Sequence, residues 1–564
     1  MYRVLKRLSE GQHRASCARS EAMSEARPLS ALEQGRSITR FRADRSGNVV
    51  IMFSLSLIPI LFLGGMGIDY GTNLAVRQKV QNAVDGTALT LAKLPSTVTD
   101  AELVTRADAQ VHSMVADGRL FDFSVVSKRV GDTIVVTATG KTQTTLTRLG
   151  GFTSLGLEVT GIVRRGAGNL EVALVLDNTG SMGLNGKIGN LKTAAKDFVA
   201  ALYSETDPDQ PNSLKIAVVP FSMTVNIGAS NLGANFLDTN ALSSTHTQIF
   251  GSDVIVKNRF ELFKQMGISW GGCVESRPAP YDIDGTPPTK ANAETLFVPF
   301  FAPDESDLEE NTNPGRYPPA QYWPYFAINN YMDDYPASTS SARRSDQNRV
   351  RQERTAKYSR NSLKKSGAQP GTGYTYGPNA GCELTPITRL TTTRSTVDTA
   401  IDAMKVIGDT NIPMGLTWGW HVLSPDLPFR DGAAYSEKNA TVPTTKYVVL
   451  MTDGQNASAV TANSNNSVYS GLGYSWQGRV GTTSNDTDVR RQRMDDRLTL
   501  LCENMKKTGI QIFTVRVEVA EGTNEVLKNC ASQESMFFDV QNSSGLTAVF
   551  RSIGAQINDL RISG

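Results

Sequence analysis

The sequence predicts an α/β protein built on a doubly wound, mostly parallel sheet, preceded by a transmembrane helix and a small α+β domain. Three observations carry this. From Asn169 onward, short apolar runs (Leu170–Leu176, Ile216–Phe221, Tyr447–Met451, Ile510–Val517) alternate with helical patterns, the rhythm of a parallel sheet covered on both faces. The first run stops abruptly at Asp177, with Thr179 and Ser181 at alternate positions behind it, and so brings oxygen ligands to the carboxyl edge of a sheet, where open α/β folds place their sites. Val49–Ile68 is an uncharged apolar stretch of about the 20 residues that cross a bilayer. At 564 residues the chain exceeds one ordinary core, so two or three domains are expected.

Residues 1–44 are polar, basic and serine-rich, which predicts a disordered tail. Arg3, Lys6, Arg7, Arg14, Arg19, Arg27, Arg36, Arg40, Arg42 and Arg45 precede the apolar stretch, and the positive-inside rule keeps this end in the cytoplasm and sends everything after Asp69 outward. Pro59 and three glycines inside the stretch are tolerated better by membrane helices than by soluble ones. Val76, Val80, Ala83, Val84, Ala88 and Leu91 share one helical face, so the span continues as a helix to about Pro95, giving a unit over 45–95. A second helical pattern follows Asp100. Phe121–Val130 and Thr133–Thr139 alternate around Gly131-Asp132 as a hairpin does, and 96–166 reads as a small α+β domain.

Residues 167–562 form the doubly wound part. Ile188, Leu191, Ala195, Phe198, Val199 and Leu202 mark an amphipathic helix, Val397, Ile401 and Met404 another, and Leu546 to Leu560 a closing one. About 228–390 breaks the rhythm and reads as an insertion. It runs from acidic (Asp304 to Glu310) through aromatic (Tyr322 to Tyr331) to basic (Arg343 to Lys365), and the basic run reads as a solvated loop. Cys17 lies alone on the cytoplasmic side, whereas Cys273, Cys382, Cys502 and Cys530 lie on the exported side, where two disulfides are expected. Of three possible pairings, Cys502–Cys530, closing a short loop, and Cys273–Cys382, stapling the long segment, are favoured.

Asp177-x-Thr179-x-Ser181 resembles the first metal-ligating motif of von Willebrand factor type A domains, with Thr for the first Ser. Gly408 to Leu416 is similar to the loop that contributes a threonine in that family, here Thr410, and Lys446 to Gly454 to the strand and Thr-Asp-Gly turn that contribute a second aspartate, here Asp453. The resemblance implies a type A fold. Asp177, Thr179, Ser181, Thr410 and Asp453 would then hold a divalent cation, Mg²⁺ first, with Mn²⁺ or Ca²⁺ as alternatives, since carboxylates and hydroxyls suit hard ions. A protein partner's carboxylate could fill an open position on that ion.

Other chemistries find little support. A net charge of +2 provides no overall basic field for a nucleic acid. Gly180 to Lys187 fails as a nucleotide-binding P-loop, because Ser181 stands where its first glycine belongs and Ile188 follows the lysine. No Gly-x-Ser-x-Gly elbow or His-Glu-x-x-His occurs, and His421 reads as a packed imidazole, so no enzyme and no catalytic residue is expected.

Arg45-Ser46-Gly47-Asn48, the apolar span, Ile68-Asp69-Tyr70-Gly71 and Val80 to Leu89 resemble the N-terminal segment of bacterial Tad/Flp pilus-assembly proteins of the TadE/TadG type. Trp270 to Pro278 and Trp418 to Pro425 resemble further TadG-like segments, and the order of anchor, stalk and type A head is that of TadG-type proteins. The resemblance implies a single-pass inner-membrane protein with its bulk in the periplasm, binding pilus-machinery or pilin-like proteins in adhesion or assembly. A structural tether or adhesin whose contacts come from the insertion is the alternative. Pilin-like relatives are cut beside a motif with an early glutamate; here Gly47 is followed by Asn48-Val49-Val50-Ile51-Met52, so an uncut, permanently anchored chain is expected.

Overall fold

The structure, a computed structural model, describes residues 48–92, 94, 98–130, 133–164, 169–204, 213–251, 256–307, 328–334, 348–360, 362–369, 373–435, 444–458, 461, 463–519 and 524–563. The basic tail, Cys17, Gly131-Asp132 and much of the acidic-aromatic-basic run lie outside them. The chain divides into two compact units: residues 1–79, 117–123 and 139–158, and residues 80–116, 124–138 and 159–564.

Helix α1 (Asn48–Ala92) runs unbroken through Pro59 and enters both units. Among the described residues it is the one helix long and apolar enough to cross a membrane. Its first part exposes Met52, Phe53, Leu55, Ile60, Leu61 and Leu63, which in water would be an unfavourable surface. Helix α2 (Asp100–Met114) begins where the Thr99 hydroxyl accepts from the Glu102 amide, and it buries Leu103, Ala107 and Val111, one residue per turn. Strands β1 (Leu120–Val130), β2 (Thr133–Gln143) and β3 (Ser154–Arg164) form a sheet in that order, with Ile134, Val136 and Ala138 buried at period two along β2.

The larger unit holds a sheet whose first strand, β4 (Asn169–Asp177), is central. After it come helix α3 (Lys187–Ser204), strand β5 (Leu214–Phe221), the short pair β6 (Val225–Asn226) and β7 (Cys273–Val274), and strand β8 (Thr388–Thr391). Helices α4 (Arg394–Ala403) and α5 (Ile412–Leu423), strand β9 (Thr444–Thr452), helix α6 (Thr487–Lys507), strands β10 (Gln511–Val517) and β11 (Phe537–Val540) and helix α7 (Leu546–Ser563) follow. Spatial order is β11-β10-β9-β4-β5-β8, the 3-2-1-4-5-6 order of a doubly wound sheet, parallel except for the edge strand β8.

Side-chain alternation splits the core. Leu170, Val172, Leu174 and Leu176 of β4 face one layer with Leu191 and Phe198 of α3, Ile401 of α4 and Phe550 of α7; Phe198 and Phe550 meet edge to face at 5.9 Å between ring centroids. Ala173 and Val175 face the other layer with Trp418 of α5 and Leu498 of α6. Helix α5 lies close to the sheet because Gly415 and Gly419 have no side chain: a β-carbon on either would come within 2.5 Å of Phe221 or Val175.

The segment between β5 and β8 departs from the solvated loop expected of its basic run. Phe297, Phe300, Phe301, Tyr331 and Tyr358 are buried in the α5-side core. Arg351 and Lys357 are buried too, because the acidic and basic blocks pair with each other: Lys357 Nζ lies 2.6 Å from Asp304 and 3.4 Å from Asp334, and Arg351 lies 3.5 Å from Asp334. Spacing along the chain could not reveal that pairing. Both favoured disulfides are present, Cys273–Cys382 and Cys502–Cys530, with Cα separations of 5.7 and 5.1 Å.

Replacing Lys357 by Met would leave Asp304 and Asp334 facing each other in a dry site, a loss of about 3–5 kcal/mol. Denaturant unfolding of the full chain in detergent measures it, and a change below about 1 kcal/mol would contradict the burial of this pair.

Candidate functional site

Parallel pairing of β4 with β9 sets Leu176 beside Met451, so the next residues of the two strands, Asp177 and Thr452, emerge together at the carboxyl edge. The Thr452 hydroxyl donates to Asp177 Oδ2 at 2.6 Å, and the Thr179 amide donates to Asp177 Oδ1 at 2.8 Å. Beyond β4 the chain turns through Gly180–Gly183, and the Thr179 and Ser181 hydroxyls come to lie 3.1 Å apart. Ser181 Oγ then donates to Asp453 Oδ1 at 2.7 Å, joining two stretches that are distant in sequence.

A third stretch closes on the same edge. The loop from α4 to α5 is fastened to the turn after Asp177: the Gly180 amide donates to the Gly408 carbonyl at 2.9 Å, and the Ile407 amide donates to the Asn178 carbonyl at 2.7 Å. Gly408 takes a left-handed conformation (φ 69°) that a residue with a β-carbon rarely adopts. Two residues on, buried Thr410 accepts at its carbonyl from the Ala457 amide at 2.9 Å. Its hydroxyl lies 3.5 Å from where a β-carbon on Gly454 would stand, so the glycine of the Thr-Asp-Gly turn leaves room for it. Asn411 caps α5 by accepting from the Met414 amide at 3.2 Å. Asp177, Thr179, Ser181 and Asp453 are thus linked by hydrogen bonds, and Thr410 stands beside them at Gly454.

The electrostatics are lopsided. Asp177 is fully buried, and its carboxyl is pushed up to about 7, first by burial and then by the charge of Asp453; hydrogen bonds from Thr179 and Thr452 pull the other way without cancelling this. Asp453 has a cation of its own, Lys187 Nζ at 2.7 Å from Oδ2, with both side chains buried. Lys187 escaped the sequence reading, where it figured only as the lysine of a P-loop pattern that Ser181 and Ile188 break. One signal was present: it opens helix α3, and a cation is disfavoured at a helix N-terminus unless an acid lies nearby. Two carboxylates, one of them paired with Lys187, and three hydroxyls around them fit a hard divalent ion. Among the described residues no group of three or more His, Cys, Asp or Glu could hold a metal, so this donor set depends on its hydroxyls. His421 lies packed between Phe297 and Trp418, and burial followed by the charge of Arg277 holds its pKa well below the ordinary imidazole value.

Comparison with known proteins adds a family link at the other end of the chain. Residues 47–90 match the family described as putative Flp pilus-assembly TadE/G-like. No curated protein matches the chain. Among solved structures it is similar to the pilus adhesin SpaC from Lactobacillus rhamnosus GG (10% identity, TM-score 0.31), covering 78% of this chain and 35% of that one. It is also similar to the vWF domain of the type V pili tip protein Mfa5 from Porphyromonas gingivalis (11%, TM-score 0.30), covering 70% and 96%. A third is the pilus adhesin RrgA from Streptococcus pneumoniae (10%, TM-score 0.29), covering 77% and 49%. This chain therefore spans about a third of the length of SpaC.

A carboxyl raised in the folded state stabilises the protein while protonated, so its contribution is fully present below the unfolded value of about 4 and is lost as pH rises through about 7. In chelator, the wild type should lose on the order of a few kcal/mol between pH 5 and pH 8 from this group. Asp177→Asn should flatten that slope in melts recorded across the range; an unchanged slope would place the charge elsewhere.

Proposed function

We propose that the protein is a membrane-anchored, cation-dependent protein-binding component of a Tad/Flp pilus apparatus, with a von Willebrand factor type A head acting in adhesion or assembly outside the cytoplasm. Helix α1 would be its single span of the bacterial inner membrane, with the N-terminus cytoplasmic. One observation carries the binding half of this reading: Asp177, Ser181 and Asp453, from the end of one strand and the turns that follow two adjacent strands, converge by hydrogen bonds at one sheet edge with Thr179 and Thr410 beside them. The pilus half rests on the match at residues 47–90.

A hard cation bound here would keep coordination positions that a partner's carboxylate can complete. Asp177 would supply the charge that the site leaves without a counter-ion, Ser181, Thr179 and Thr410 would supply neutral oxygens, and Asp453 would divide its charge between the cation and Lys187. Mg²⁺ suits so compact a set, with Mn²⁺ and Ca²⁺ as alternatives. The function is recognition of an acidic group on a protein of the pilus machinery or a pilin-like protein, and not turnover of a substrate.

Asp177→Ala should abolish Mg²⁺-dependent capture of the partner by the full chain in detergent while leaving its far-UV circular dichroism unchanged. Capture that survives both this substitution and chelator, but is lost on deleting residues 308–327 or 335–347, either side of the buried Tyr331 and Asp334, would place the contacts in the long segment and favour a structural tether. Lys187→Met should lower stability in chelator by about 3–5 kcal/mol, because Asp453 loses its buried partner. It should also enlarge the rise in melting temperature on adding Mg²⁺, and equal shifts in variant and wild type would remove Lys187 from the site's charge balance.

A further inference from the structure

The smaller unit carries a hydrophobic tip with no role in the reading above. Between β2 and β3 the chain forms a short helical turn, Thr147–Gly150, that lies against the apolar part of α1. Along that part, Phe62, Gly65, Asp69 and Asn73 face inward at helical spacing while their neighbours are exposed. A β-carbon on Gly65 would collide with Leu146, and one on Gly150 with the Phe62 ring, so glycines on both sides allow the close approach. The turn nonetheless exposes its own apolar side chains: Leu149 is 88% exposed and Phe152 62% exposed. On α1, Leu61, Leu63, Met66 and Ile68, beside the Phe62 and Gly65 that the turn meets, are exposed as well.

We infer that the tip Leu146–Phe152 inserts into the outer leaflet of the membrane that α1 crosses, as a second, shallow membrane contact held by Asp69. This rests on the reading of α1 as the anchor.

Depth is the first argument. The apolar stretch ends at Ile68, and the tip reaches back to Phe62, about 9 Å along the helix at about 1.5 Å per residue, which is the depth of interfacial insertion. Backbone satisfaction is the second, since a loop in lipid must pair its own polar groups. The Asp69 carboxylate accepts from the amides of Thr145 (2.9 Å), Leu146 (2.9 Å) and Thr147 (2.7 Å) and from the Thr147 hydroxyl (2.8 Å). The amides of Thr144, Leu149, Gly151 and Phe152 donate to carbonyls within the turn and its flanks. Most amides of the tip are thereby paired, which a solvated surface loop does not need. Chemistry is the third: Arg148 is exposed between the buried Thr147 and the exposed Leu149, where a guanidinium can meet lipid phosphates while the apolar side chains enter the acyl region. Asp69 is a positioning residue in this account.

The test uses the full chain with Cys17→Ser, one copy per nanodisc of phosphatidylglycerol and phosphatidylcholine, carrying a single environment-sensitive NBD label at Leu149→Cys or Phe152→Cys. Controls are labels at Leu61→Cys on α1 and at Leu184→Cys, an exposed site in the larger unit. The tip labels should emit blue-shifted and be quenched several-fold more by lipid carrying a shallow doxyl group than the Leu184 label, which iodide should quench instead. Adding Asp69→Asn should return the tip labels toward the aqueous signal while the Leu61 label stays in lipid. A lipid signal at Leu61 with an aqueous one at Leu149 and Phe152 overturns the proposal alone, and a protein or second copy would then cover the tip. An aqueous signal at Leu61 as well overturns the anchor reading with it.

Discussion

Two carboxylates buried side by side at the carboxyl edge of adjacent parallel strands set the terms for the rest of the larger unit. Two unit charges 4 Å apart repel by about 4 kcal/mol at an effective dielectric of about 20, and burial adds a desolvation cost for each. The fold answers half of this with Lys187, which pairs with Asp453. Asp177 receives hydrogen bonds and, among the described residues, no ion pair, and burial followed by the charge of Asp453 raises its carboxyl to about 7. Such an arrangement leaves a deficit of positive charge at a defined point, and a small divalent ion from solvent would make it good.

Holding that arrangement requires rigid support from residues far from the charges. Parallel register between β4 and β9 fixes Asp177 against Thr452. Gly415 and Gly419 bring α5 close to the sheet, which places the preceding loop and Thr410 at the same edge. Backbone hydrogen bonds between Asn178–Gly180 and Ile407–Gly408 fasten the two loops together. Each of these is a packing or backbone feature, so the geometry of the site does not depend on a ligand to assemble it. That preorganisation limits the ordering cost when an ion or a partner arrives.

Much of this was legible in the sequence because it rests on local pattern. The strands around Leu174, Val218, Leu450 and Val515 and the helices at Phe198, Ile401 and Phe550 follow from apolar periodicity, and α1 from the length of its uncharged stretch. The two disulfides followed from compartment and loop closure. Helix α6 was not legible: its charged surface hides the buried series Met494, Leu498, Leu501 and Met505. Strand β3 was also missed. The burial of Lys357 and Arg351 depends on Asp304 and Asp334, residues that only the fold brings to them. Lys187 was missed for the same reason, its partner Asp453 lying on another strand. Residue type and spacing revealed the ligating oxygens; the counter-charges that tune them required three dimensions.

The central claim is that this charge deficit is a cation site. Its most direct measurement is a crystal of the protein grown with Mn²⁺ and recorded at an anomalous wavelength. The account predicts a single strong anomalous peak within coordination distance of Ser181 Oγ and of the Asp177 or Asp453 carboxylate. A map with no peak there, or with Mn²⁺ only at surface carboxylates, would contradict it.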